Sequence, residues 1–263
     1  MSRYAEHKQA KQKLSEIAAK LDNCLVIHYS CESFYDIEND RTPRITSIAI
    51  MDLQSGQVTS FSIHKVAEKN KVNFESIEGS YDKLEKQMLD DYFEFISPSS
   101  NRLWLHWNMR DMQFGFKAIE HRYEVLGGEP VHFPDERKID IADLMTRLYG
   151  KDYAGHPRLV SLMKMNPTIA NAGFLTGKEE AEAFENKEFA KLHYSTLRKV
   201  QVFADILNRA INSELKTKSS VFVIYGATPQ GVFELIRNKW WAAAISYLVA
   251  LLLGGIITKM LFG

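Results

Sequence analysis

Cysteine is scarce in this chain of 263 residues, which contains only Cys24 and Cys31. These two residues flank one predicted strand and cannot easily bridge each other, so a disulfide framework is excluded and a reducing compartment is expected. Cysteine clusters at zinc-binding spacing are also absent. Net charge is lacking as well, because 33 basic residues balance 33 acidic ones. No overall field therefore attracts nucleic acid, although a local basic groove could still do so.

The sequence motifs of several enzyme classes are missing too. Neither the phosphate-binding loop Gly-x4-Gly-Lys-Ser/Thr nor Gly-x-Gly-x-x-Gly occurs in the sequence. The Gly-x-Ser-x-Gly nucleophile elbow and the His-Glu-x-x-His zinc helix are also absent. The N-terminus has no apolar core typical of a signal peptide, so we expect the polar bulk of the chain to stay in the cytosol.

One long apolar run is present, from Trp240 to Ile257. About 20 apolar residues span the roughly 30 Å hydrocarbon core of a bilayer. Trp240 and Trp241 at one end, with Lys259 at the other, are typical of membrane interfaces. A buried core helix is the alternative, but it would need a large core around it. We therefore predict a transmembrane helix over residues 239–262 and a single-pass, tail-anchored membrane protein with a cytoplasmic N-terminal domain.

Small side chains recur every four residues within this apolar run, at Ala242, Ser246, Ala250, Gly254 and Thr258. Small residues allow two membrane helices to approach closely, although composition alone could produce such a stripe. The pattern predicts a homo-oligomer that is held together partly within the lipid bilayer.

The remaining pattern predicts mixed α/β structure. The expected regions are an N-terminal amphipathic helix over residues 1–22, a domain over 23–214, a juxtamembrane spacer over 215–238 and the membrane helix over 239–262. Apolar or alternating segments predict strands at 24–30, 45–52, 57–64 and 102–106. Helical spacing predicts helices at 81–96, 111–126, 139–149, 157–164 and 178–212, and 219–231 is β-like, as a spacer or a final strand.

Polar residues with possible chemical roles lie at three places in this order of elements. The first strand ends in Ser30-Cys31-Glu32, the strand at 102–106 ends in His106, and the segment after it contains Asn108 and Asp111. The last long helix has His193 five residues before Arg198, followed by Lys199.

In that order, residues 24–212 resemble the ribonuclease H-like DEDD family of 3′–5′ exonucleases, in its subgroup with a histidine in the last motif. The resemblance implies an α/β ribonuclease H-like exonuclease fold, with a mixed sheet flanked by helices. It also implies that Glu32, Asp111 and His193 are catalytic, and that Glu32 and Asp111 bind Mg²⁺ or Mn²⁺. The sequence departs from the family at two carboxylate positions, where it has Ser30 and Arg198.

Those two departures change the charge of the implied metal site. Two-metal cleavage needs carboxylates around two dications, and the formal charge of the four positions changes from −4 in the family to −1 here. Nearby carboxylates could compensate, namely Asp36, Glu38, Asp40, Asp140 and Asp143. A standard two-metal site is therefore not expected.

Each of these residues also has a structural interpretation. Glu32 could be a strand-exit charge, Asp111 a helix N-cap and His193 a structural histidine. His106 and Asn108 could simply finish a strand.

Arg198 and Lys199 could form a solvated helix face. Alternatively, they could contact a phosphate group, together with Ser30, His106 and Asn108.

Two functions remain open at this point. The first is binding of nucleic acid or nucleotide by a pseudoenzyme in which cleavage is weak or lost, with antiviral defence against phage as a possible setting. The second is an active, metal-dependent exonuclease at the membrane. The charge count favours binding over cleavage.

Overall fold

A computed structural model describes residues 2–33, 42–99, 101–110, 114–167, 169, 172–226, 229–238 and 240–262. The chain divides into two compact units. The larger consists of Leu14–Leu144 and Gly155–Lys216, and the smaller of Met1–Lys13, Met145–Ala154 and Thr217–Gly263.

A mixed five-stranded sheet organises the larger unit. Its strands are β1 (Cys24–Cys31), β2 (Ile45–Asp52), β3 (Val58–Ser62), β4 (Leu103–His106) and β5 (Lys138–Asp140), in the order β3-β2-β1-β4-β5. Strands β2 and β3 form an antiparallel hairpin, and β1 is antiparallel to β2. Because β1, β4 and β5 are parallel to one another, their carboxyl ends meet at one edge of the sheet.

The helices, in chain order, are α1 (Arg3–Ala18), α2 (Ile63–Lys69), α3 (Tyr81–Ile96), α4 (Phe116–Val125), α5 (Ile141–Tyr149), α6 (Arg158–Met165), α7 (Gly177–Glu185), α8 (Phe189–Ile211), α9 (Val221–Tyr225), α10 (Pro229–Asn238) and α11 (Trp240–Phe262). Helix α7 begins with a capping box, in which Thr176 and Glu179 satisfy each other's backbone amides. Helices α1 and α5 each contribute residues to both compact units.

The central strand β1 is buried on both faces, and its two sets of alternating side chains meet different helices. Leu25, Ile27 and Tyr29 belong to the apolar cluster that contains the buried side of α3. The alternate residues include His28 and Ser30, which contact Phe203 and Thr196 of α8. Helix α8 therefore covers the face of the sheet on which the polar residues of β1 lie.

The structure corrects several predicted elements. Strand β3 ends at Ser62 and helix α2 begins at Ile63, so the last two residues of the strand predicted at 57–64 are helical. A short strand, β5, precedes α5 where only a helix was predicted. The region predicted as one helix at 178–212 is two, α7 and α8. The β-like segment at 219–231 contains helix α9 and the start of α10 instead of a strand.

The predicted transmembrane helix over residues 239–262 is also corrected. The segment does form helix α11, yet within the described residues no helix is long and apolar enough to cross a membrane.

The stripe of small residues lies on this same helix. Ala250 is exposed and Ser246 is partly buried, whereas the side chains of Ala242, Gly254 and Thr258 fall outside the described part of α11. Membrane attachment and a homo-oligomer held through this stripe therefore stay untested predictions.

Candidate ligand-binding site

A cavity of about 660 Å³ lies at the carboxyl end of β1. Its walls come from the end of β1, the segment after β4, the loop before α7, and helices α7 and α8. Four of the residues predicted from sequence line it together: Ser30, Glu32, Asn108 and Lys199. The fold thus brings the end of the first strand and the last long helix to one site.

Three hydroxyl groups join the sheet to α8 beneath this cavity. Ser30 and Ser47 are neighbours across the β1–β2 ladder, and each hydroxyl oxygen is 2.7 Å from Thr196 Oγ1. Thr196 Oγ1 also lies 2.9 Å from the carbonyl oxygen of Leu192, so the three hydroxyl groups and this carbonyl form one hydrogen-bonded network. Ser30 thus contributes a neutral hydroxyl group that helps to hold α8 on the sheet.

An ion pair between α7 and α8 forms the polar part of the cavity wall. Lys199 Nζ lies 2.6 Å from Glu180 Oε2, and the side chains are only 9% and 14% exposed. The other carboxylate oxygen of Glu180 accepts hydrogen bonds from Ser195, at 2.8 Å, and Ser30, at 3.2 Å. Glu180 is therefore fixed by three neighbours, and it fixes the Lys199 ammonium beside Ser30.

Glu32 also forms an ion pair, in this case with Arg44. Its carboxylate lies 3.4 Å from the guanidinium of Arg44, and the two residues are joined by a 2.9 Å backbone hydrogen bond. The guanidinium of Arg44 also forms an ion pair with Glu78 and lies over the ring of Tyr81. Because arginine is always charged, this contact holds Glu32 as a partnered carboxylate.

Aromatic side chains make up much of the remaining wall. Trp107 stacks on Phe203, with ring centroids 5.7 Å apart, and Phe114 stacks on Tyr29 at 4.6 Å. Phe174 lies under Lys199, with the ammonium 5.6 Å from its ring centre. An aromatic enclosure with a few placed polar groups is typical of sites for small organic ligands.

Two titratable groups of β1 lie in this wall. Burial, with a further contribution from the nearby Lys199, holds the pKa of His28 well below its usual value, so the ring is neutral at pH 7. Burial, followed by the charge of Glu180, raises the pKa of the Cys31 thiol. Burial thus favours the protonated thiol of Cys31 over the thiolate, which is the reactive form.

His106 ends β4, and Asn108 follows it in the turn that leads away from the strand. His106 Nδ1 accepts a hydrogen bond from the amide of Met109, at 3.2 Å, and burial lowers the pKa of His106 to about 4. The amide of Asn108 donates to Asp140, which also pairs with Arg110. His106 thus shapes the turn after β4, while Asn108 reaches the cavity rim.

His193 and Arg198 of α8 do not join the cavity lining. His193 Nε2 is 2.9 Å from the hydroxyl of Ser60 on β3, and burial lowers the pKa of His193 to about 3. Arg198 donates to the carbonyl of Ala172 at 2.8 Å and to the side chain of Gln201. Arg198 therefore supports the loop before α7, and Lys199, one residue later, lines the cavity.

Among the described residues, the cavity lining does not offer the carboxylate set of a two-metal site. Within the described chain, no group of three or more His, Cys, Asp or Glu side chains could hold a metal ion. Of the cavity carboxylates, Glu32 is paired with Arg44 and Glu180 with Lys199. Asp111, along with the alternative carboxylates Asp36, Glu38 and Asp40, lies outside the described residues. A resident ammonium would repel a dication placed beside Ser30.

Sequence reasoning missed the residues that organise this wall, namely Glu180, Thr196 and Arg44. Thr176 and Glu179 form a recognisable capping signal, which indicates that a helix begins there and places Glu180 in its first turn. No local pattern shows that this first turn packs against Lys199, because the contact joins α7 to α8 through the tertiary structure.

No protein-family model, curated protein or solved structure matches the chain.

Proposed function

We propose that the cavity at the end of β1 binds a nucleotide or the end of a nucleic-acid strand, and that the domain acts by binding rather than by cleavage. The observation that carries this proposal is the Lys199–Glu180 ion pair beside Ser30. In the exonuclease family that residues 24–212 resemble, this part of the cleft would hold carboxylates and metal ions.

The electrostatics of the cleft favour binding over metal-dependent chemistry. Catalysis by two metal ions requires several oxygen ligands whose negative charge is available to the ions. Here Arg44 and Lys199 neutralise the two carboxylates of the wall at close range. Two dications could bind these carboxylates only if both ion pairs were broken. The Lys199 ammonium would then lie next to a metal ion and repel it.

The aromatic wall supports a nucleotide as the ligand. Bases stack on aromatic side chains in proteins that bind single strands, and each stacked base contributes about 1–3 kcal/mol. Phe174 and Phe114 are partly exposed at the wall, and Trp107 lines the cavity next to them. The cavity volume of about 660 Å³ is also within the range of sites for small organic ligands.

Binding by full-length protein tests this proposal. Nucleoside monophosphates are titrated by calorimetry, and a labelled single-stranded oligonucleotide by fluorescence anisotropy. Phe174→Ala should weaken binding by about fivefold or more, because stacking of one base contributes about 1–3 kcal/mol. The control, Phe74→Ala, removes a ring that is 54% exposed on a different surface segment and should leave binding unchanged.

Two results would contradict this proposal. Absence of saturable binding to every mononucleotide and oligonucleotide in the panel would overturn the proposal. Binding that is weakened equally by both phenylalanine variants would place the ligand outside this cavity.

A further inference from the structure

The charges that line the cavity balance one another. Glu32 and Glu180 supply two carboxylates, and Lys178 and Lys199 supply two ammonium groups. Lys178 is exposed, and within the enclosed part Lys199 is paired with Glu180 while Glu32 is paired with Arg44. A phosphate dianion in the enclosed part would therefore meet two partnered carboxylates and no surplus of positive charge.

Lys199 nevertheless retains donors for a neutral ligand. An ammonium group has three N–H donors, and among the residues that the structure describes its oxygen partner is Glu180. Glu180 has little capacity left, because one of its oxygens already accepts from Ser30 and Ser195. The free hydrogen-bonding capacity at this wall therefore consists mainly of N–H groups, which suits a carbonyl or ring-nitrogen acceptor.

His28 is an independent indication that a polar ligand belongs here. The residue lines the cavity and is only 6% exposed, yet neither ring nitrogen has a hydrogen-bond partner among the described residues. Its ring packs against Phe203 and faces Phe114 at 6.0 Å. A neutral imidazole has one donor and one acceptor, and buried polar groups in folded proteins are nearly always satisfied. A heteroaromatic ligand in this cavity would supply the missing partners.

We propose that the group which enters this cavity is the nucleobase, bound by stacking on the aromatic wall and by hydrogen bonds to Lys199 and His28, while any phosphate stays outside. This inference rests on the proposed function and defines which part of the nucleotide the site recognises. It reverses the arrangement expected of a phosphodiester-cleaving cleft, in which the scissile phosphate occupies the charged end.

Competition on the wild-type, full-length protein gives the main test. A labelled nucleotide or oligonucleotide that binds is displaced in turn by the four common nucleosides, by the matching monophosphates and by inorganic pyrophosphate. At least one nucleoside should compete within about fivefold of its monophosphate, while pyrophosphate should not compete. Displacement by pyrophosphate, with no nucleoside competing, would overturn the inference but leave the proposed nucleotide binding intact. Failure of every nucleotide to bind would instead overturn the proposed function.

Two variants locate the contacts. The double variant Lys199→Met with Glu180→Gln removes both charges together, so no buried charge is left unpaired, and His28→Phe conserves ring shape. Each should weaken nucleoside binding by about fivefold or more, as expected for the loss of hydrogen bonds to the base. Lys191→Met, on the exposed side of α8, serves as the control and should not change it. Unchanged nucleoside affinity in both test variants would overturn the assigned contacts.

Discussion

At the level of single residues, Glu85 and Arg122 form a buried ion pair outside the cavity. Glu85 is fully buried, and its carboxylate accepts from the guanidinium of Arg122 at 2.6 Å and from the amide of Ile45 at 2.6 Å. The pair thus ties α3 and α4 to the start of β2. Asp82 contacts the same guanidinium at 2.6 Å, but its side chain is 72% exposed.

The two carboxylates provide a matched comparison. Glu85→Ala should lower the free energy of unfolding by about 3–5 kcal/mol, because it leaves a buried guanidinium without its main partner. Asp82→Ala should lower it by about 1 kcal/mol or less, since water screens and replaces an exposed partner. Urea unfolding of both variants measures the difference. Similar losses in the two would contradict the assignment of Glu85 as the buried partner.

Single residues also explain why the site was only partly predictable. Ser30, Glu32, Asn108 and Lys199 were predicted from their positions in the order of elements, and they do line one cavity. Their partners were not predicted, because Glu180 and Arg44 reach them only through the packing of distant segments. His193 was expected in the cleft, yet Ser60 is its neighbour.

Secondary-structure elements were predicted best where their apolar pattern is long. Strand β2 and helix α3 have the bounds expected from sequence, and both contain many buried residues. Strand β5 spans three residues, which is too short to show an alternating pattern. Helix α9 contains the sequence VFVIY, and its β-branched residues favour a strand on local propensity alone.

The C-terminal helix α11 shows what an apolar pattern can and cannot predict. An apolar run predicts a helix of that length, and α11 does extend from Trp240 to Phe262. Hydropathy alone does not define the environment of a helix, because a membrane span and a covered helix share the same composition. Several side chains of α11 are exposed in this structure, among them Leu248, Leu252 and Leu253.

The molecule as a whole should be sensitive to acid. Burial lowers the pKa of His106 to about 4 and that of His193 to about 3, from the model-peptide value of about 6.5. The folded protein therefore binds fewer protons than the unfolded chain between these values. This contribution to stability is complete above pH 6.5 and is lost as the pH falls toward the folded-state values.

The size of this effect follows from the pKa difference. Each histidine should remove about 2 kcal/mol from the free energy of unfolding between pH 7 and pH 5. Urea unfolding at the two pH values measures the total loss, to which the buried His28 also contributes. The variant His193→Gln should reduce this pH-dependent loss by about 2 kcal/mol. The control is His132→Gln, since that side chain is 68% exposed. A loss that is the same in wild type and in His193→Gln would contradict the assignment.

The central claim is that the Lys199–Glu180 pair makes this cleft a binding site instead of a two-metal site. A cleavage assay tests this claim most directly. A single-stranded oligonucleotide with a label at its 5′ end is incubated with full-length protein and Mg²⁺ or Mn²⁺, and its length and its binding are followed in the same samples. The account predicts saturable binding with no shortening of the strand at either metal. Progressive metal-dependent shortening from the 3′ end that is abolished by Glu32→Gln would contradict it, since that result requires a working metal site in this cleft.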